Sequence, residues 1–278
     1  MSKGKAKTAS LFDDPSRRVI SASRRIDMVA GDPDGLADIL AERVPPELTH
    51  TIVLWTKNPI VLLNHSRLRR QLQRYDQLFL HLTITGLGGK DVEPHVPSPH
   101  RVLSELDRLV EWVESPLRIR LRFDPIVHLR DAFGRMICNL AFFDELAPIA
   151  SSRGLCDITV SWVQLYPKVR KRLHRCGYEA VEVPSEQRQE EEKRLRSVAE
   201  RWGITLHGCC VAGWRRSRCI DGELLTKLHP RRLPASTRKA KGQRQDCGCT
   251  ESVDIGWYTP CSHGCLYCYA NPRVEIKK

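Results

Sequence analysis

A chain of 278 residues with 41% hydrophobic residues can fill at least one substantial core, which excludes both an intrinsically disordered chain and a miniature stapled scaffold. The 45 Lys+Arg against 33 Asp+Glu give a formal charge of +12, and no stretch approaches the ~20 consecutive apolar residues of a membrane helix. The opening MSKGKAKTAS is basic and polar without the apolar run of a secretion signal, so a cytoplasmic protein is expected.

Short β-branched runs alternate with segments of helical period. Strands are expected over residues 19–23, 51–57, 78–85, 119–123, 158–165 and 205–208, and helices over 33–43, 60–74, 99–113, 132–150 and 186–202. Asp32-Pro33 and Ser98-Pro99 each place a side-chain acceptor before a proline whose missing N–H is not needed in a first helical turn. Alternation of this kind is the signature of βα units on a parallel sheet, and the expected fold is α/β, a permuted partial (β/α) TIM-like barrel. In such a fold, ligand groups sit on loops after the carboxyl ends of the strands. Five of these loops, 23–27, 55–59, 85–91, 122–125 and 164–168, are unusually polar or glycine-rich. Any one of them is ordinary turn chemistry; together they mark a mouth. Residues 1–17 read as a flexible basic N-terminus, 18–220 as the barrel, 221–246 as a basic insertion with a short helix near 222–228, and 247–278 as a cysteine-rich segment that completes the mouth.

Eleven cysteines are many for a reducing compartment and point to metal or redox chemistry. Cys138, Cys156 and Cys176 are scattered and read as buried, unliganded thiols. The other eight lie between Cys209 and Cys268. Cys261, Cys265 and Cys268 form a C-x₃-C-x₂-C loop, whose three thiolates suit three irons of a [4Fe–4S] cube and leave the fourth iron open. The alternative is structural zinc with His263 or a remote cysteine as fourth ligand, although zinc sites usually pair two knuckles. A second group, Cys209 or Cys210 with Cys219, Cys247 and Cys249, suits either an auxiliary cluster or a tetrahedral zinc.

The words His263-Gly264-Cys265 and Tyr267-Cys268-Tyr269-Ala270 resemble the cysteine motif of radical S-adenosylmethionine enzymes, in the form found in spore-photoproduct-lyase-like members. The resemblance implies a catalytic [4Fe–4S] cluster, S-adenosylmethionine chelated to its open iron, and a ferredoxin or flavodoxin as reductant. In that superfamily the loop follows the first barrel strand, whereas here it lies ten residues from the C-terminus. Circular permutation reconciles the two if 252–256 forms a last strand beside 19–23. Over nearly its whole length the chain also resembles an uncharacterised bacterial family with such a cysteine cluster at its C-terminal end. The matching stretches are 20–25, 55–59, 122–125 and 241–268.

Among polar groups at the mouth, Arg122 suits the methionyl carboxylate, Asp124 its neutralisation, and Lys57 a further catalytic role. Tyr267 would lie near the adenine, with Arg24 as a further cofactor contact and Gly86 offering close backbone approach. The excess charge sits in two segments, 167–175 with five basic residues and 227–244 with seven, neither holding an acid. Localised positive potential of this kind steers polyanions, with nucleic acid the obvious one; the alternative is a solvated basic loop with no dedicated partner. The expected function is therefore hydrogen abstraction by a 5′-deoxyadenosyl radical from an unknown substrate, nucleic acid included; the alternative is a non-catalytic, zinc-binding nucleic-acid protein.

Overall fold

In the computed structural model, residues 17–256 and 261–270 are described. Residues 1–16, nearly all of the expected flexible leader, lie outside them. The strands are β1 (Arg18–Ala22), β2 (Thr49–Thr56), β3 (Leu78–Thr83), β4 (Ile119–Ile126), β5 (His128–Asp131), β6 (Met136–Cys138), β7 (Asp157–Trp162), β8 (Tyr178–Ala180), β9 (Thr205–Gly208) and β10 (Val253–Asp254). The α-helices are α1 (Met28–Gly31), α2 (Pro33–Arg43), α3 (Pro59–Asn64), α4 (Ser66–Leu72), α5 (Pro99–Leu103), α6 (Leu106–Trp112), α7 (Phe142–Ser151), α8 (Pro167–Arg175), α9 (Ser185–Arg201) and α10 (Gly222–Leu228). Among the described residues no helix is long and apolar enough to cross a membrane.

Seven strands form one sheet in the order β10-β1-β2-β3-β4-β7-β9, and every pairing in it is parallel. A smaller antiparallel sheet has the order β6-β5-β8. The α/β class and parallel sheet agree with the sequence pattern. Among the described residues the outer strands β9 and β10 share no pairing, so the strand ladder closes no barrel.

Two-residue alternation divides the large sheet into two unlike faces. Ile52, Leu54, Leu80, Leu82, Leu121 and Phe123 point toward the helices, where Leu36, Leu40, Leu68, Leu106 and Leu146 complete the main core. Each such side chain contributes roughly 1.5–3 kcal/mol by leaving water. On the opposite face Val19, Val53 and Phe79 pack against Ile220, Leu225, Ala235 and Cys249. The 221–246 segment thereby helps to cover the second face, which a parallel sheet keeps from water.

The structure departs from the periodicity at three places. The expected helix over 132–150 is the β5–β6 hairpin followed by α7. Asp131 accepts the backbone N–H groups of Phe133 and Arg135, each at 2.9 Å, and Gly134 adopts φ +79° to turn the chain. Phe133, whose spacing mimics a helical stripe, is 84% exposed. The expected helix over 60–74 breaks at His65, which leaves helical geometry and caps α4 by accepting the Leu68 N–H at Nδ1, 3.2 Å away. The helix over 99–113 similarly divides at Ser104 and Glu105 into α5 and α6. Cys138, expected to be buried, is exposed on β6, with its Sγ 3.3 Å from His128 Nε2.

The tail strand lies where the sequence expects it. Ile20 pairs with Val253 and Ser21 with Asp254, and the Ile255 N–H donates to the Ser21 carbonyl at 2.9 Å. Gly256 then passes so close to β1 that a Cβ there would lie 2.1 Å from Ser23 Cβ, so only glycine fits.

A buried histidine pair lies under the basic segment. The His50 and His229 rings are 4.4 Å apart, and His50 Nε2 donates to the Leu233 carbonyl at 2.8 Å. Burial pulls both imidazoles down, His229 to about 4. The unfolded chain therefore takes up protons below its ordinary value of 6.5 while the folded chain does not, so stability falls as pH drops from 6.5 toward about 4. His229 alone should cost about 1–2 kcal/mol between pH 6.5 and pH 5, and His229→Gln should flatten that slope in urea titrations. An unchanged slope would refute a neutral, buried His229.

Candidate functional site

The cysteine loop docks at the carboxyl end of the large sheet. Leu266 N–H donates to the Val92 carbonyl at 3.0 Å and His95 N–H to the His263 carbonyl at 3.3 Å. From α8, Arg172 donates to the carbonyls of Leu266 and Cys268 at 3.0 and 2.7 Å. Cys265, Leu266 and Tyr267 pack with Leu87, Val92, Val127, Leu129, Val169 and Leu173 in a core of their own. The loop is thus anchored by backbone bonds on one side and a buried guanidinium on the other.

Asp27, in the loop after β1, joins three pieces of the chain. Its Oδ1 caps α1 by accepting the Ala30 N–H at 3.0 Å. Its Oδ2 accepts from Thr56 Oγ1 at 2.9 Å, the Lys57 N–H at 2.8 Å and His263 Nε2 at 2.7 Å. Burial alone would push this carboxyl up, but the His263 hydrogen bond and charge, with the two backbone donors, hold it below its usual range. The other ring nitrogen of His263, Nδ1, is buried and has no hydrogen-bond partner.

A second buried hub is Glu93, of whose side chain 1% is exposed. Its Oε1 accepts from Lys57 Nζ at 2.8 Å, from Thr85 Oγ1 at 2.8 Å, and from the Tyr267 hydroxyl. Lys57 Nζ also donates to the Tyr267 oxygen at 3.0 Å. Burial opposes the Lys57 charge, but Glu93 and then Cys265 more than offset it, so the ammonium is stabilised. Burial followed by the Glu93 charge pushes the Tyr267 phenol well up. Lys57 and Tyr267, expected separately at the mouth, are therefore one unit with Glu93.

The thiols of Cys261, Cys265 and Cys268 lie within electrostatic reach of one another, and burial raises those of Cys261 and Cys265. Three thiols are the right donors in kind and number for three corners of an iron–sulfur cube. Among the described residues, however, no set of three or more His, Cys, Asp or Glu side chains is disposed to hold a metal ion as it stands.

Arg122 Nη1 donates to Cys219 Sγ at 3.1 Å and Nη2 to Asp124, whose other oxygen accepts from Ser161. Burial opposes the guanidinium charge, but Asp124 and then Cys219 raise its pKa further. Cys219 lies within electrostatic reach of Cys209 and Cys247, and Cys219 and Cys247 pack against the core that holds Cys249. The four cysteines expected as a second group thus come together, and Cys209 rather than Cys210 is the member that reaches Cys219. Arg24 Nη2 donates to Ser252 Oγ at 3.4 Å, its buried Nη1 has no partner, and its charge reaches Cys247.

Gly86 stands elsewhere. It lines a depression with Lys90, Asp91, Cys138, Asn139 and Tyr178, and a Cβ on it would meet Phe142 at 2.5 Å, which accounts for the glycine. Several charges in the two basic segments are engaged within the molecule. Arg172 is buried at the cysteine loop, Arg170 pairs with Glu182 at 2.5 Å, Arg231 with Asp76 at 2.6 Å and Arg238 with Glu251 at 2.8 Å. The sequence reading missed Asp27, Glu93 and Arg172 as site residues and offered His263 only as an alternative fourth zinc ligand. Asp27 was visible in the polar segment 23–27, whereas Glu93 lies beyond the glycine-rich turn with no local motif to mark it.

No curated protein matches the chain. Among solved structures, it is similar to the carboxyl transferase domain from Rhizobium etli pyruvate carboxylase with 3-bromopyruvate, at 13% identity and a TM-score of 0.29. That match covers 70% of this chain and 36% of the other, so the chain spans about a third of the length of that protein. The family whose pattern the sequence matches is described as a domain of unknown function, DUF1848, and the match runs over residues 33–270, from α2 through the last cysteines. The chain belongs to the DUF1848 family.

Proposed function

We propose that the protein is a radical S-adenosylmethionine enzyme whose Cys261, Cys265 and Cys268 hold a [4Fe–4S] cluster. The observation that carries this reading is the position of β10. By pairing with β1 it leads the C-x₃-C-x₂-C loop to the carboxyl ends of the parallel strands, beside Lys57, Glu93 and Asp27. In this reading the sheet is a partial TIM-like (β/α) barrel in permuted order, with the tail strand standing first. Cys261, Cys265 and Cys268 would hold the cluster, which with S-adenosylmethionine and one electron from a ferredoxin or flavodoxin would supply hydrogen-atom abstraction.

The chain's own residues hold and shield that chemistry. Asp27 and Arg172 fix the cysteine loop, and the apolar shell of Leu87, Val92 and Val127 excludes water from its far side. Lys57 keeps a positive charge beside Cys265, which favours the thiolate that iron requires. Arg24, with one buried nitrogen free of partners, is the candidate for a ligand carboxylate.

A second reading rests on His263. A metal-bound histidine commonly gives its other ring N–H to a carboxylate, as His263 Nε2 does to Asp27, and the buried Nδ1 is left unpartnered. That arrangement suits zinc held by the three cysteines and His263. Anaerobic purification separates the two. A brown protein with iron and acid-labile sulfide that cleaves S-adenosylmethionine on reduction supports the enzyme; a colourless protein whose zinc is lost in Cys265→Ala rejects it.

A further inference from the structure

We propose that Cys209, Cys219, Cys247 and Cys249 form a separate, closed metal centre of four thiolates, binding either zinc or an iron–sulfur cluster. It does not depend on the cysteine loop that follows.

The four residues come from three regions of the chain: the turn after β9, the approach to α10, and the Cys247-Gly248-Cys249 turn before β10. Cys219 and Cys247 pack against the core that holds Cys249, and Cys209 lies within electrostatic reach of Cys219. As they stand the four do not form a cage that would hold a metal ion, and drawing their sulfurs together around a soft cation would close one. Long-range folding holds it in place, since the Cys249 carbonyl accepts the Ala240 N–H at 2.9 Å and the Cys219 carbonyl bonds His81 Nε2 at 2.7 Å.

Cations surround the group. Arg122 donates to Cys219 Sγ at 3.1 Å, Arg244 to Cys209 Sγ at 3.5 Å, and the Arg24 charge reaches Cys247. Asp124 neutralises one of these three through its bond to Arg122. Four thiolates holding either Zn²⁺ or a [4Fe–4S]²⁺ core leave roughly two negative charges, which neighbouring guanidinium groups offset. Guanidinium N–H groups aimed at sulfur are the outer contacts that stabilise such a centre. Because four protein thiolates leave no open position, the centre is structural or an electron relay, and it pins the 209–250 excursion against the second face of the sheet.

The test uses the full chain with Cys261→Ser, Cys265→Ser and Cys268→Ser, which removes the other cysteine group. Purified without oxygen, this triple variant should retain about one zinc, or about four irons with matching sulfide, per chain. The analysis itself tells the two apart. Adding Cys219→Ser should lower that content at least tenfold in the presence of a chelator, while adding Cys176→Ser should not change it. A folded triple variant with no bound metal, or one indifferent to Cys219→Ser, overturns the proposal. Wild-type protein supplies a check free of folding defects: Cys209, Cys219 and Cys247 should become alkylated together only after chelation. Equal labelling before and after chelation also overturns it. Failure here leaves S-adenosylmethionine cleavage by the wild type untouched, so the two ideas fall separately.

Discussion

Cys265→Ala is expected to reduce S-adenosylmethionine cleavage to background while the metal held by the other cysteine group remains. Cys265 is buried at the centre of the loop core, between Lys57 and the apolar side chains beneath it. Neither neighbour supplies a replacement donor: the lysine is stabilised as an ammonium, and the aliphatic side chains of the core carry no lone pair. Removal of even an outer contact to a metal ligand costs about 10–100-fold in affinity or activity, and loss of the ligand itself should cost more. The check is anaerobic 5′-deoxyadenosine formation beside iron analysis. Cleavage within tenfold of wild type would sink the role given to the loop.

Asp27→Ala is expected to destabilise the fold by about 3–5 kcal/mol, the usual range for stranding the partner of a buried charge. The carboxylate satisfies four donors, and water cannot replace it for His263 or Thr56, both buried. It also ties the loop after β1 to the end of β2 and to the cysteine loop, so the loss reaches the site as well as the fold. A drop of roughly 10 °C in Tm follows for a chain of this size. Asp27→Asn retains the volume and one acceptor and should fall between wild type and alanine. A Tm for Asp27→Ala within about 1 °C of wild type would show that the three segments are held by other contacts.

The strands of the large sheet were legible because a strand buried on both faces is a continuous β-branched run, as in Thr51-Ile52-Val53-Leu54. The second cysteine group was singled out by residue type alone, and the fold brings Cys219, Cys247 and Cys249 into one region. The helices were less so. The pattern around Phe133 and Ile137 has helical spacing, but a single aspartate and a left-handed glycine decided in favour of a hairpin. Helix α8 was read only as a charge run because basic residues dominate it, yet its Val169, Leu173 and Arg172 face inward. The network around Asp27 and Glu93 could not be read at all. Its bonds span 174 residues from Glu93 to Tyr267 and 236 from Asp27 to His263, and no local period records such distances.

The pairing of β10 with β1 has a consequence for synthesis on the ribosome. The outer edge of β1 is made before its partner, which arrives after every other strand of the sheet has been translated, so that row of backbone donors and acceptors waits uncovered until then. The nascent chain is most open to edge-to-edge association in that interval, and final assembly must await the emergence of residues 253–256.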